Sequence, residues 1–163
     1  MRRIMALLLL MAALLAGAHA EDALYPASQS LMSQMQEWDI LCLPDGRDAD
    51  GTEWLVTEVS DSSGRTWEIR FGMDRDGTRC SLLAPGYISF WPGEMDAVLR
   101  VCNGLNAEYR YVRFYVDGLD EVTAAMQVRY MEGNPGAVIF EAYRVMMDVM
   151  VEGYERLGEF HLP

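Results

Sequence analysis

The chain has 163 residues, with 25 acidic side chains against 13 basic ones and a formal net charge of −12. That balance excludes nucleic acid and anionic membrane surfaces as natural partners, because binding either depends on positive charge set against phosphate. All 13 basic residues are arginine, so a phosphate-loop lysine, a Schiff-base lysine and a Ser-x-x-Lys nucleophile pair are excluded as well.

Arg2 and Arg3 precede the apolar run Ile4 to Ala18, and Ala18-His19-Ala20 closes it with the small residues of a cleavage site. This layout predicts a signal peptide over 1–20, a mature chain beginning at Glu21, and a periplasmic or secreted protein. The run is shorter than the roughly 20 apolar residues that span a bilayer, so membrane contact is expected only before cleavage. Residues 21–163 suffice for a single domain with one core. His19 leaves with the leader and His161 sits at the far end of the chain. A Ser-His-Asp or Cys-His site would therefore have to be built on a terminal tail.

Ala27 to Trp38 places Leu31, Met32, Met35 and Trp38 on one helical face, and Pro26 precedes it where a first-turn proline is harmless. An apolar piece, Ile40 to Leu43, leads into a polar loop from Pro44 to Gly51. Glu53 to Val59, Thr66 to Phe71 and Thr78 to Leu83 read as strands joined by Ser60 to Gly64 and Asp74 to Gly77, whose turn chemistry suits an antiparallel meander. Pro85-Gly86 breaks the pattern. Gly93 to Leu105 then carries Met95, Val98, Leu99 and Cys102 at helical spacing behind Glu94 and Asp96, acids that favour a helix N-terminus.

Val112, Phe114 and Val116 alternate with Tyr111, Arg113 and Tyr115, Asp117 to Asp120 turns the chain, and Val122, Ala124, Met126, Val128 and Tyr130 face the core on return. Asn134 is an N-cap with Pro135 at N1. The helix they open sets Glu141, Arg144, Asp148, Glu152 and Glu155 opposite Ile139, Tyr143, Met146, Met150, Tyr154 and Leu157. Each of the latter is worth roughly 1.5–3 kcal/mol when fully buried, which docks the helix on a sheet. The predicted fold is α+β, an antiparallel sheet of a meander and a C-terminal hairpin packed with about three helices.

Cys42, Cys80 and Cys102 follow the leader at spacings that match no metal or Cys-x-x-Cys pattern. They predict either one bridge of unassigned pairing plus a buried thiol, or three buried thiols.

Several features resemble the YbjN family of bacterial proteins, labelled sensory transduction regulators. They are a leading helix before Trp38-Asp39-Ile40, Cys80 followed by Ser81-Leu82-Leu83, a helix ending in Leu105-Asn106 with Arg110 beyond it, Asp117-Gly118 in a hairpin turn, and Glu132-Gly133 before the last helix. The resemblance spans Ser28 to Leu157. It implies a fold similar to type III secretion chaperones, which bind unfolded or extended protein segments and often dimerise. Met73 stands where many members carry a cysteine before the Asp-Gly turn.

Asp45 to Gly51 has the carboxylates of a calcium loop, but with Gly51 at the glycine position the first and twelfth ligand positions fall on Gly46 and Thr57. A solvated turn is expected, with no metal and no cofactor. Adjacent acids such as Asp120 and Glu121 show no desolvated environment that general acid or base work would need. Tyr109, Tyr111, Arg113 and Tyr115 form the candidate partner-binding face, since tyrosine and arginine supply rigid contact area. Met126, Met131, Met146, Met147 and Met150 read as core. The expected function is a non-enzymatic regulatory or protein-binding module, with a homodimer among its possible assemblies. The alternative is a small envelope enzyme or ligand-binding protein with a carboxylate-lined pocket.

Overall fold

The computed structural model describes residues 23–118, 120–131 and 133–162. The predicted signal peptide and its expected cut near Ala20, Leu119 in the hairpin turn, and Glu132 lie outside the described residues.

Helix α1 spans Pro26–Gln36 and buries Ala27, Ser28, Leu31 and Met35 on one face, with Pro26 in its first turn. Asp39, at φ 57°, turns the chain out of it. The predicted loop from Pro44 is instead an edge strand, β1 (Leu43–Arg47), whose five residues are all exposed. It pairs antiparallel with β2 through Leu43 opposite Val56, then bulges between Pro44 and Arg47. A strand with no buried face and with Pro44 and Gly46 inside it carries no alternation to read.

Strands β2 (Glu53–Ser60), β3 (Thr66–Met73) and β4 (Arg79–Ser89) form the predicted meander. Strand β4 does not stop at Pro85-Gly86. A register shift between Ala84 and Ile88, with Gly86 at φ 59°, carries it through the break. Helix α2 (Met95–Glu108) follows a short 3₁₀ turn, and the hairpin of β5 (Val112–Val116) and β6 (Glu121–Arg129) forms as predicted. The six-stranded sheet has the order β1-β2-β3-β4-β6-β5, so β6 sits between β4 and β5.

Helix α3 (Pro135–Leu157) starts at Asn134, whose Oδ1 accepts the Ala137 amide at 3.2 Å. It lies on the inner face of the sheet. Tyr143 meets Phe71 with ring centroids 5.9 Å apart, and the Tyr87 hydroxyl donates to the Met150 carbonyl. At the start of α3, a Cβ on Gly136 would lie 2.3 Å from the Ser30 carbonyl oxygen, so α1 and α3 cross at a point where no side chain fits. Among the described residues, no helix covers the opposite sheet face. Val56, Arg70, Leu83, Ala125 and Arg113 form one cross-strand row there, all half-buried or exposed.

All three cysteines are free and buried, so of the two predicted states the three-thiol one is found. Burial pushes the Cys42 and Cys102 thiols up to about 11 and raises Cys80 further, with the charges of Asp74 and Cys42 adding there. Because the thiolate is the reacting form, a colourimetric thiol reagent at mildly alkaline pH should label the native protein slowly. All three sites should react at once on unfolding. Prompt native labelling of even one would show that its burial does not hold in solution.

Candidate functional site

The predicted face around β5 is only partly assembled. Tyr111 and Tyr115 are 73% and 44% exposed, and Arg113 and Tyr115 lie on the open side of the sheet. Tyr109 is not with them. It is the C-cap of α2, so strand alternation does not reach it, and its hydroxyl donates to Glu152 Oε2 on α3 at 2.6 Å. That hydrogen bond, with burial and the charges of Glu152 and Glu108 behind it, pushes the Tyr109 phenol up to about 12. Arg113 is occupied too, its Nη1 donating to the carbonyls of Asn106 and Tyr109 at 2.9 Å each. A guanidinium on the last carbonyls of a helix is a C-terminal cap.

Strand β5 is an outer strand, but its edge is covered at Phe114. The Asn106 side chain accepts the Phe114 amide and donates to its carbonyl, both at 2.8 Å, in the place a neighbouring strand would fill. Strand β1, at the opposite edge, has no such cover in its first half among the described residues. Leu41, just before it, and Leu43, its first residue, are exposed by 72% and 48%, whereas Trp38 lies against Phe140 of α3 with ring centroids 5.7 Å apart.

Two hollows flank this strip, one of about 550 Å³ lined by Met32, Ile40, Leu41 and Leu43 and one of about 510 Å³ lined by Leu41, Leu43 and Val56. The Thr57 hydroxyl donates to the Leu41 carbonyl at 2.7 Å, which fixes the segment while its leucines point away from the core. Sequence reasoning missed this surface. The one available signal was the apolar run Ile40 to Leu43, which alternates Cys42 inward with Leu41 and Leu43 outward. Of the methionines read as core, Met146 and Met150 are buried, but Met131 is 87% exposed.

Of the acidic segments, Asp48 to Gly51 and Asp74 to Gly77 are turns, and Asp45 lies in β1. Asp48 Oδ2 accepts from Trp54 Nε1 at 2.7 Å, Asp45 pairs with Arg70, and Asp50 Oδ1 accepts the Thr52 amide at 3.0 Å. A shallow hollow of about 280 Å³ brings Asp50, Asp74 and Asp76 together with Arg75 and Arg79. Asp74 is ion-paired to Arg79 at 2.6 Å. Hydrogen bonds from Thr52 and Thr78 hold Asp50 and Asp76 below the usual carboxylate range. A general acid needs the opposite shift.

The comparisons decide the family. Residues 62–142 match the YbjN family, described as "putative bacterial sensory transduction regulator". The fold is similar to the crystal structure of YbjN from E. coli, described as "a putative transcription regulator", with a TM-score of 0.55 and 12% identity, covering 83% of this chain and 95% of that one. The chain belongs to the YbjN family. No curated protein matches it. The YbjN match includes β3, β4, α2 and the hairpin. The structural likeness extends over most of the chain and concerns the fold.

Proposed function

We propose that this YbjN protein is a non-enzymatic regulatory module that works outside the cytoplasm once its leader is removed. It captures an extended, apolar segment of a partner protein along the β1 edge. The observation that carries this reading is the pair of exposed leucines, Leu41 and Leu43, at the start of an outer strand, flanked by two largely apolar hollows. Exposed apolar surface gathered in one place marks interaction sites on soluble domains. An outer strand offers main-chain pairing while adjacent pockets take alternate side chains. Pro44 and the bulge after it limit such pairing to the chain at and just before Leu43.

Burying either leucine on a partner is worth roughly 1.5–3 kcal/mol. Bait carrying Leu41→Asp and Leu43→Asp should therefore bind partners from an envelope extract at least about tenfold more weakly than wild type, with native far-UV dichroism. Bait carrying Tyr111→Ala and Tyr115→Ala should bind as wild type. If instead the tyrosine pair abolishes capture and the leucine pair does not, the partner sits on the open sheet face around β5.

A further inference from the structure

The hollow of about 510 Å³ beside Leu41 and Leu43 is not apolar all round, because Glu58 of β2 and Glu68 of β3 complete its wall. The two glutamates stand directly opposite one another across the β2–β3 ladder, and both are exposed. A single unpaired acid is ordinary on a surface, but like charges set face to face on paired strands repel and destabilise the sheet.

Nothing nearby relieves that repulsion in full. Among the described residues Glu58 has no ion pair, and Glu68 meets only Arg70, whose Nε lies 3.7 Å from its Oε1, beyond hydrogen-bond length. Arg70 is committed elsewhere: its Nη2 pairs with Asp45, and its guanidinium lies 5.3 Å from the Trp54 ring centroid. Protection against sheet-to-sheet joining does not account for the pair either. Charges with that role stand on edge strands, whereas β2 and β3 are interior strands of the sheet.

We propose that the segment captured at β1 carries a lysine or arginine beside its apolar residues, and that the Glu58–Glu68 pair receives that cation. This inference rests on the reading of β1 as a capture edge and names the chemistry of what is captured. A strand added outside β1 stands about 10 Å from β2, at roughly 4.8 Å per strand. A long cationic side chain bridges that gap with its aliphatic stem over Leu41 or Leu43 and its charged head at the carboxylates. The repulsion between the glutamates then becomes shared attraction to one cation. The net charge of −12 acts in the same sense, drawing basic segments towards the protein and repelling acidic ones.

The test is an amide NMR titration of the labelled mature protein with the acetylated, amidated peptide Lys-Thr-Val-Thr-Val-Thr-Lys and with its Gln and Glu versions, in which both lysines are replaced. The valines and the end residues of this peptide share one face of a strand. The lysine peptide should shift the amides of Leu41, Leu43 and Glu58 saturably and bind about fivefold more tightly than the Gln version, the upper value of an exposed ion pair. The Glu version should bind more weakly than either. Raising the salt to about 0.5 M should shrink the lysine advantage.

Glu58→Gln with Glu68→Gln should abolish the lysine advantage, leave the affinity for the Gln peptide unchanged, and hold or raise the urea midpoint of unfolding. Leu41→Ser with Leu43→Ser should weaken all three peptides alike. If the three peptides bind equally well at these residues, or if the double glutamine variant keeps the lysine preference, the selection of basic segments is overturned while capture at β1 stands. If none binds saturably there, both readings fall. A lowered midpoint in the double glutamine variant would also count against the inference, because the carboxylates would then have partners within the fold.

Discussion

Glu53→Ala should lower the stability of the protein by about 3 kcal/mol, near the foot of the range for breaking a buried ion pair. Glu53 opens β2 with its carboxylate sealed from solvent, 1% exposed, yet it serves three elements. Oε2 accepts the Tyr25 amide at 2.8 Å, while Oε1 takes Arg47 Nε at 3.0 Å and Nη2 at 2.6 Å. The Arg47 guanidinium in turn lies 4.5 Å from the Tyr25 ring centroid and donates to the Ala23 carbonyl. One carboxylate thus fastens the entry to α1 onto β1 and β2. The figure stays low in the range because the Arg47 side chain is about a third exposed, so water can partly solvate the charge left behind.

Urea unfolding followed by tryptophan fluorescence would measure the Glu53 effect. Glu53→Gln, which keeps the shape and one acceptor, should fall between wild type and Ala. Removing Arg47 as well should cost less than the sum of the two single losses, since the pair is coupled. A loss below about 1 kcal/mol for Glu53→Ala would mean that the pair behaves like a surface bridge and that α1 is held by apolar packing alone.

How much of this was legible in the sequence depended on whether the signal was local. Asn134-Pro135 and the apolar stripe that follows are contiguous, and α3 begins and ends where they predict. The hairpin alternation likewise places Val112, Phe114, Val122 and Ala124 inward as found. Which strand neighbours β4 is not a local property. Both hairpin strands carry an apolar face, and nothing within either says that β6 takes the inner place.

The four residues of the predicted face are only partly brought together for a related reason. Tyr109 was grouped with Tyr111 and Tyr115 by counting in twos, but the chain is still leaving a helix at that residue, and Arg113 is drawn away to cap the same helix. Asn106 was visible only as part of the Leu105-Asn106 resemblance. Its role as a substitute strand partner requires α2 to be seated beside β5, which no run of residues announces.

Phe114→Ala is the second large effect, at about 3–5 kcal/mol, the usual loss when a buried phenylalanine is cut back and the space left cannot close. Phe114 is 1% exposed, its ring centroid lies 5.6 Å from that of Tyr87, and its main chain is held on both sides by Asn106. The space cannot close easily because the neighbouring position on α3 is Gly153, where a Cβ would already lie 3.0 Å from Phe114 Cζ. The glycine and the ring are therefore one packing unit across the sheet and α3.

That unit makes a second measurement decisive. Gly153→Ala in the wild-type background should overpack the contact and cost about 1–3 kcal/mol. In the Phe114→Ala background the added methyl enters vacated space and should cost nothing or recover stability. Strictly additive losses would show that Gly153 and Phe114 do not pack against one another in solution, and the docking of α3 on β5 would need to be revised. The same variants bear on function: Arg113 and Tyr115 flank Phe114 on the opposite side of β5, so loosening its anchor disturbs the open sheet face. The β1 strip, at the far edge of the sheet, should keep its affinity for a partner in any Phe114 variant that remains folded.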